Sequence, residues 1–309
     1  MKLEPSNQTK LFGYNEQFHH FINLYSNKKL PNKILFSGEK GIGKCTLSYH
    51  LINFILSSDE ESPYDIENFR INPSNKSFKL IQNKSNPNFI LIDVIEDKIN
   101  IDINQIRNLI YVLNKSSFNT KPRFVLIDNI ELLNLNSINA LLKILEEPND
   151  NINFILINNN KKVLSTLKSR CLNFKIKLTS VESINIVNNI LNKDIHKLLN
   201  SELINNYSTP GNLLKLLNLN DEYNINLKDI NLSKLLSLII KEKYYKKNTL
   251  IKELIYLLIE LYFRSNISVD NIRLFNIKKY FLKKINNTKK FNLDEEVLFL
   301  EFKERLLNG

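Results

Sequence analysis

The sequence is poor in several residue types, and each shortage excludes a class of protein. It has no tryptophan, one alanine, one methionine, 6 glycines and 2 cysteines among 309 residues. Two cysteines, Cys45 and Cys171, are too few and too far apart for a disulfide scaffold or a cysteine-rich zinc site. The low glycine and proline content excludes a collagen-like or low-complexity chain.

The chain also lacks long apolar runs. A membrane span needs about 20 mostly apolar residues, and the most apolar segment, residues 250–263, is interrupted by Lys252, Glu253 and Glu260. The first residues, MKLEPSNQTK, do not show the basic and then apolar pattern of a signal peptide. We therefore expect a cytoplasmic protein with no membrane partner.

Negative charge is scarce relative to positive charge. The formal net charge is +11, from 43 basic and 32 acidic residues. Residues 225–309 hold 17 Lys/Arg and 10 Asp/Glu, so +7 of the excess lies there. This balance favours a polyanionic partner. The competing interpretation is a lysine-rich solvated surface that reflects the biased composition of the whole chain, and the sequence leaves both open.

Short, continuously apolar runs occupy the first half of the chain. Strands buried on both faces of a parallel sheet have this pattern. Helical patterns over residues 46–56, 103–113 and 137–146 separate the runs. The alternation predicts an α/β domain with a parallel sheet over residues 1–178. The runs are Ile34–Phe36, Phe89–Ile92, Phe124–Ile127 and Phe154–Ile157.

The remaining segments differ in composition. Residues 57–87 are rich in Ser, Asn, Asp, Glu and Lys, which predicts an exposed and partly irregular insertion. From Ser180 onward helical periodicity replaces the strand-like runs. We predict a small helical domain over residues 179–224 and a larger all-helical domain over residues 225–309.

A glycine-rich segment follows the first predicted strand. Gly38, Gly41, Gly43 and Lys44 match the P-loop pattern of glycine, four residues, glycine, lysine. The glycines let backbone N–H groups converge on phosphate oxygens, the following helix adds its positive dipole end, and the lysine supplies a point charge. The segment therefore predicts a phosphate-binding loop.

The residue after this lysine departs from the pattern. It is usually Ser or Thr, whose hydroxyl binds Mg²⁺, and here it is Cys45. Magnesium prefers oxygen ligands, so a thiol is a poor substitute. Thr46 comes one residue later, which on a helix turns its hydroxyl by about 100°. The loop can still hold a phosphate, but metal-assisted hydrolysis is disfavoured.

Polar residues follow the third and fourth predicted strands. Asp128 stands where a ligand for the magnesium of a P-loop is expected, and the alternative is that it only ends a strand. An active ATPase of this kind usually has a glutamate next, but this chain has Asn129, with Glu131 two residues further on. Asn158 ends the fourth run, where an amide can contact a γ-phosphate or orient water.

Arg170 lies just beyond the fourth strand and a short helical segment. An arginine at a domain edge can reach across a subunit interface and stabilise the phosphates bound by a neighbour. The alternative is an ordinary surface arginine.

Together these segments resemble the delta-prime family of bacterial DNA polymerase III subunits, within the clamp-loader branch of the AAA+ P-loop proteins. The most specific segment, residues 139–148, reads NALLKILEEP and contains Ala140, the one alanine of the chain. The resemblance is strong over residues 28–178. The other segments that carry it are Leu30-Pro31, the P-loop through Thr46, Ile106-Arg107, Asp128 and Ser169-Arg170-Cys171.

The resemblance implies an ATPase-like module, a helical lid and a helical collar. It also implies a hetero-oligomeric ring with gamma/tau and delta subunits, which reaches the sliding clamp and primer-template DNA through the complex. We predict that the collar, residues 225–309, joins partner subunits through an apolar helix face. The residues of that face are Leu254, Leu257, Leu258 and Leu261.

The resemblance further implies a subunit that does not turn over ATP, with a vestigial site for ATP or ADP. Arg170 would act in trans as an arginine finger. Cys45 and Asn129 fit a subunit that does not hydrolyse ATP. Gly211 fits it as well, since it stands where an active subunit is expected to carry a nucleotide-sensing arginine. Relatives often bind zinc through cysteines in the region of residues 57–87, and this chain has none there, so we predict no zinc and no other bound metal.

Two other functions stay open. An ATP-hydrolysing clamp-loader subunit would need Cys45 or Thr46 to serve magnesium and Glu131 to reach water. A nucleotide-dependent small-molecule kinase would need several arginines near the phosphates. The arginines that residues 100–175 offer are Arg107, Arg123 and Arg170.

Overall fold

The apolar runs form the strands of one parallel sheet in the computed structural model of the protein, which confirms the predicted α/β architecture. It describes residues 4–95, 98–115, 119–147, 151–205, 208–266, 272–291 and 293–307. The strands are β1 (Lys33–Ser37), β2 (Phe89–Ile92), β3 (Arg123–Ile127), β4 (Ile152–Asn158) and β5 (Leu172–Lys175). Within those ranges the sheet has five strands in the order β2-β3-β4-β1-β5.

Helices cover both faces of the sheet, which explains why the predicted runs within β1 to β4 are continuously apolar. Phe36 packs into the cluster formed with the first three helices, whereas Leu35, its neighbour on β1, packs into the cluster on the other face. The helices of this part are α1 (Asn15–Ser26), α2 (Lys44–Leu56), α3 (Lys76–Gln82), α4 (Ile103–Leu113), α5 (Leu135–Glu146) and α6 (Ser165–Lys168).

β5 was not predicted from the sequence. It is an edge strand that pairs only with β1 in the described sheet. Leu172 is 54% exposed, and the polar residues Asn173 and Lys175 alternate with apolar ones. β5 therefore lacks the continuous apolar run that marks the other four strands.

Hydrogen bonds from side chains fix both ends of α4. Asp102 accepts from the N–H groups of Asn104 and Gln105, and the Gln105 side chain accepts from the Asp102 N–H, which makes a capping box. At the other end the buried guanidinium of Arg123 donates to the carbonyls of Leu113 and Lys115. The helix consequently spans the residues that the sequence pattern predicts.

The insertion at residues 57–87 is more ordered than its composition predicts. Most of its residues are exposed, as predicted, but a minority that includes Asn75, Ser77 and Phe78 is buried, and it contains α3, which the sequence analysis did not predict. Asn75 is fully buried and accepts from the Phe78 N–H at 2.8 Å, which caps α3. The Glu60 carboxylate accepts from the N–H groups of Lys76 and Ser77. These polar residues accept hydrogen bonds from the N–H groups at the start of α3. Composition alone does not distinguish such capping residues from residues in contact with solvent.

Residues 179–309 form a second compact unit, with residues 1–178 as the first. One hydrophobic cluster extends through it, from Val187 to Phe302. The further division near residue 224 into lid and collar stays a prediction. The helices are α7 (Ser180–Leu191), α8 (Pro210–Tyr223), α9 (Leu232–Lys241), α10 (Tyr244–Lys247), α11 (Thr249–Asn266), α12 (Ile272–Phe291) and α13 (Glu295–Phe302).

The apolar helix face that was predicted to join partner subunits is buried in the core of this unit. Leu254, Leu258 and Leu261 on α11 are buried in the unit's own cluster, and Leu257 is partly buried against it. The assignment of this face to a partner was therefore wrong, because α11 is a central helix whose apolar residues fill the core. Among the described residues, no helix combines the length and the apolar character that a membrane span requires.

A histidine is enclosed in the first unit. His50 on α2 is fully buried, with Nδ1 at 2.8 Å from the Tyr64 hydroxyl and Nε2 at 3.0 Å from the Gln8 carbonyl oxygen. Since a carbonyl only accepts, Nε2 carries the proton and Nδ1 accepts from the tyrosine. Burial lowers the pKa of His50 to about 4 from its usual 6.5.

This histidine should make the stability of the first unit depend on pH. Because its folded pKa is depressed, its stabilising contribution is complete above about pH 6.5 and is lost as the pH falls toward 4, by about 3 kcal/mol. Urea denaturation across this range should show the loss in the wild type and a clearly smaller loss in His50→Gln. His20→Gln, at an exposed histidine of the same unit, is the control. An equal pH dependence in His50→Gln and wild type would contradict this role for His50.

Candidate functional site

The loop between β1 and α2 has a backbone that requires glycine. Gly41 and Gly43 have φ angles of 87° and 90°, which residues with a Cβ rarely adopt. At Gly38 an added Cβ would lie 2.3 Å from the carbonyl oxygen of Ile176. The three glycines of the predicted P-loop are thus explained by two left-handed residues and one close approach to the chain beyond β5.

Tyr14 closes one side of this loop. It lies at the start of α1, is almost fully buried, and donates its hydroxyl hydrogen to the carbonyl of Ile42. Its ring is also the nearest group to the open side of Gly43, since a Cβ built there would lie 3.6 Å from it. Tyr14 could not be predicted from the sequence, because a lone tyrosine before a helix is an ordinary residue.

Lys44 turns back over the loop and is held by the chain itself. Its Nζ donates to the carbonyls of Gly38 at 3.0 Å and Glu39 at 2.5 Å, and to Oδ1 of Asn159 at 2.9 Å. Only 3% of the residue is exposed. Burial lowers the pKa of Lys44 to about 8, against the opposing effect of Asp128 and Glu131. The buried ammonium therefore has three acceptors.

Asn159 connects this lysine to the residues that follow β3. Its Nδ2 donates to Oδ1 of Asn129 at 2.8 Å and to Oε1 of Glu131 at 3.0 Å, and its N–H donates to the other Glu131 oxygen at 3.3 Å. One asparagine therefore brings together the P-loop lysine, the residue after Asp128 and the nearby glutamate.

Asn158, the residue selected from the sequence, has a different environment. Its Oδ1 accepts from the N–H of Lys161 and its Nδ2 donates to the Lys161 carbonyl, so it closes the turn after β4. Asn159, and not Asn158, is the asparagine that contacts Lys44 of the P-loop. Three consecutive asparagines end this segment, and the sequence has no feature that says which one faces the loop.

Cys45 and Asp128 meet at the carboxyl ends of β1 and β3. The thiol and the carboxylate lie close enough for each to shift the pKa of the other. Burial raises the pKa of the Cys45 thiol well above its usual value, and it also raises the pKa of Asp128, with Asp93 adding to the effect. Thr46 lies next along α2 and is partly buried. The positions that would share a magnesium ion in an active P-loop are joined here by a direct thiol–carboxylate contact.

Asp93, at the end of β2, completes this row of polar residues. Its Oδ1 accepts from Nδ2 of Asn129 at 2.8 Å. Nothing in the sequence analysis selected it. In the described part of the chain no group of three His, Cys, Asp or Glu side chains is arranged to hold a metal ion.

Arg170 connects the two most specific sequence segments. Its guanidinium pairs with the carboxylate of Glu146, the last residue of α5, and donates to the Thr166 carbonyl at 2.7 Å. The side chain is 31% exposed. The segment NALLKILEEP therefore ends against the Ser169-Arg170-Cys171 segment, although Pro148 lies outside the described residues.

The arginines that a kinase would need do not converge. Arg123 is buried under the end of α4, where its guanidinium caps the helix. Arg107 is exposed on α4, and Arg170 pairs with Glu146.

Comparison with known proteins places these features in a family. A sequence model of the family described as "DNA polymerase III, delta subunit" matches residues 13–180. The "DNA polymerase III subunit delta'" of Buchnera aphidicola subsp. Schizaphis graminum (strain Sg) is 29% identical over 280 residues, which cover 86% of this chain and 82% of that protein. The "DNA polymerase III subunit gamma" of the same organism is 32% identical over 197 residues, covering 62% of this chain and 51% of that one.

A solved structure also aligns along most of the chain. It is a DNA polymerase III gamma subunit-related protein from Thermotoga maritima, with a TM-score of 0.47 and 18% identity. The alignment covers 91% of this chain and 96% of that one.

The contact between Cys45 and Asp128 can be tested by alkylation. The thiolate is the reactive form, so the raised pKa should make Cys45 react slowly with iodoacetamide. Asp128→Asn removes the neighbouring charge and should speed its reaction by on the order of tenfold, the effect of one pKa unit. Cys171, whose pKa burial raises to about 11, is the internal control. Peptide mass spectrometry measures both rates, and equal acceleration of both cysteines would contradict a specific contact.

Proposed function

The chain belongs to the DNA polymerase III delta subunit family, and from that premise we propose that it is a clamp-loader subunit that does not hydrolyse ATP. In this proposal it joins gamma/tau-type and delta-type subunits in a hetero-oligomeric ring. It acts on the sliding clamp and on primer-template DNA through that ring. Arg170 serves the nucleotide of a neighbouring subunit. The delta-prime relative supports this choice over the gamma relative because its match covers 86% of the chain instead of 62%.

The placement of the Cys45 thiol beside Asp128, where a P-loop enzyme has a hydroxyl, is the observation that carries the proposal. Phosphoryl transfer in P-loop enzymes depends on Mg²⁺ held by a P-loop hydroxyl and a strand-end carboxylate. Here the hydroxyl is replaced by a thiol whose pKa is raised, so it stays protonated and neutral. A neutral thiol is a poor ligand for a hard cation. Asn129 in turn offers an amide, which cannot accept a proton from water, where a catalytic carboxylate is needed.

Arg170 is suited to act outside its own site. A guanidinium stays charged at all relevant pH values and can bind two phosphate oxygens at once. In the isolated chain the Glu146 carboxylate holds it in one orientation while a third of the side chain stays accessible. A phosphate from a neighbouring subunit would compete with Glu146 for the same donors. Glu146 is thus a positioning residue in this proposal.

One observation favours the alternative of an ATP-hydrolysing subunit. The Glu131 carboxylate contacts Asn159, and Asn159 contacts Lys44, so a carboxylate does lie beside the P-loop. Glu131 could orient water if it left Asn159. The missing magnesium ligand at Cys45 weighs against this alternative.

The purified chain should show no ATPase above background, since both the magnesium ligand and the catalytic carboxylate are replaced. A coupled assay with magnesium measures this directly, and Lys44→Ala serves as the matched blank. Turnover of about 1 s⁻¹ or faster, in the usual range of such enzymes, together with its loss in Lys44→Ala, would establish the alternative function.

In the assembled loader, Arg170→Ala should lower ATP turnover and clamp loading while leaving folding and assembly intact. A finger supplied in trans is worth on the order of 10³-fold at the site it serves, and sites served by other subunits limit the total loss. Arg170→Lys should recover only part of the activity, because a lysine keeps the charge but not the two parallel hydrogen bonds. Lys44→Ala should do far less harm, and the reverse order of damage would contradict the proposal.

A further inference from the structure

One helix of the second unit carries charge of a single sign. α12 contains seven Lys/Arg and no Asp/Glu over its 20 residues. It therefore accounts for a large part of the positive charge that the sequence places in residues 225–309. A helix with no carboxylate of its own cannot neutralise its lysines internally.

Six exposed residues of α12 lie on one side. At 100° per residue they fall within an arc of about 120° and extend about 17 Å along the helix, and the other described exposed residues, Phe275, Lys289 and Phe291, lie beyond the margins of this arc. The opposite side carries Phe281 and Ile285, which are buried in the core of the unit. Core packing therefore fixes which side of α12 faces solvent. This basic face consists of Asn276, Lys279, Tyr280, Lys283, Asn286 and Asn287.

In the described part of the chain, the lysines of the basic face have no carboxylate partner, in contrast to the cations beside the face. Lys284 and Arg305 both pair with the Glu301 carboxylate. Among the residues that the structure describes, Lys279 and Lys283 have no ion pair, and both are exposed. Their charges are available to a ligand without breaking an internal contact.

Tyr280 lies between these two groups of cations. Its ring contacts the Lys284 ammonium and the Arg305 guanidinium, at 5.8 Å and 5.2 Å from the ring centre. Its hydroxyl donates to Glu301 at 2.9 Å. Glu301 is thereby occupied by three partners and is largely buried, so it leaves little negative potential on this surface.

We propose that the basic face of α12 binds the phosphodiester backbone of nucleic acid without reading its sequence. The rise from Lys279 to Lys283 is about 6 Å, which spans about two of the 3.4 Å intervals between phosphates of one strand. The asparagine amides beside them are donors of the kind that contact phosphate oxygens. Lysine provides point charges, which suit a ligand of uniform charge and variable geometry.

An acidic protein is the competing ligand, and the composition of the face disfavours it. The centres of protein interfaces are depleted in lysine and enriched in aromatic residues, methionine and arginine. The basic face is made of lysine and asparagine around a single tyrosine, and the exposed Phe275 and Phe291 lie at its margins and not at its centre. Phosphate contacts, in contrast, account for a large share of the affinity of proteins for nucleic acid.

This binding goes beyond the proposed function, which needs contact with DNA only through the assembled ring. The basic face belongs to the second unit, whereas Cys45, Asp128 and Arg170 belong to the first. Failure of one proposal therefore leaves the other unaffected.

Fluorescence anisotropy with the full chain tests the proposal. The probes are a labelled oligothymidylate and a duplex of the same length, each titrated over a series of salt concentrations. The test variant is Lys279→Gln/Lys283→Gln. The control variant, Lys193→Gln/Lys197→Gln, removes the same charge from two exposed lysines elsewhere in the second unit.

Loss of two phosphate contacts should reduce the slope of log K against log salt by about 1.8 for the duplex or about 1.4 for the single strand. The probe that shows this change identifies the form of nucleic acid, and the control variant should keep the wild-type slope. Equal losses in both variants, or no binding of either probe by the wild type, would overturn the proposal. Binding of a polyglutamate peptide in place of both probes would assign the face to an acidic protein and would also overturn it.

Discussion

The rest of the site depends on the hydrogen bonds of the buried Lys44 ammonium. A charge in a site with little water is costly unless acceptors surround it. Two acceptors are carbonyls of its own loop, which requires the tight turn that the glycines allow. The third is Asn159, and that side chain must also satisfy its amide hydrogens, which it does on Asn129 and Glu131. Even so, burial lowers the pKa of the lysine to about 8.

This arrangement explains how a P-loop can persist without the chemistry of a P-loop enzyme. The strands bring Cys45, Asp128 and Asp93 to one edge of the sheet, where an active site would hold magnesium between two oxygens. The Cys45 thiol, in the first position, lies beside the Asp128 carboxylate in the second. Asn129 then turns its amide to Asp93 instead of presenting a carboxylate to water. The backbone of the site is retained, and its side chains satisfy one another.

Much of the fold could be predicted from the sequence because burial on both faces leaves a strong pattern. The four apolar runs became β1 to β4, and α4 has the predicted bounds because caps define both of its ends. β5 and α3 were missed for different reasons. β5 alternates polar and apolar residues and buries little surface, whereas α3 is capped by Asn75 and Glu60, polar residues that are more often found in contact with solvent. The periodicity of the sequence shows that Leu254 and Leu258 lie on an apolar helix face. Only the packing of the folded unit shows that this face lies in its core.

Site residues could be predicted where the backbone conformation restricts the residue type. They could not be predicted where the role depends on which side chains come into contact in the fold. Gly38 and Gly43 were identified because few residues tolerate their positions, whereas Asn159 was hidden among three asparagines. Calorimetric titration of the chain with ATP, in magnesium and again in excess chelator, tests the central claim that Cys45 and Asp128 form no magnesium site. The account predicts that magnesium does not tighten the binding of ATP. A gain of about tenfold or more, about 1.4 kcal/mol, would contradict it.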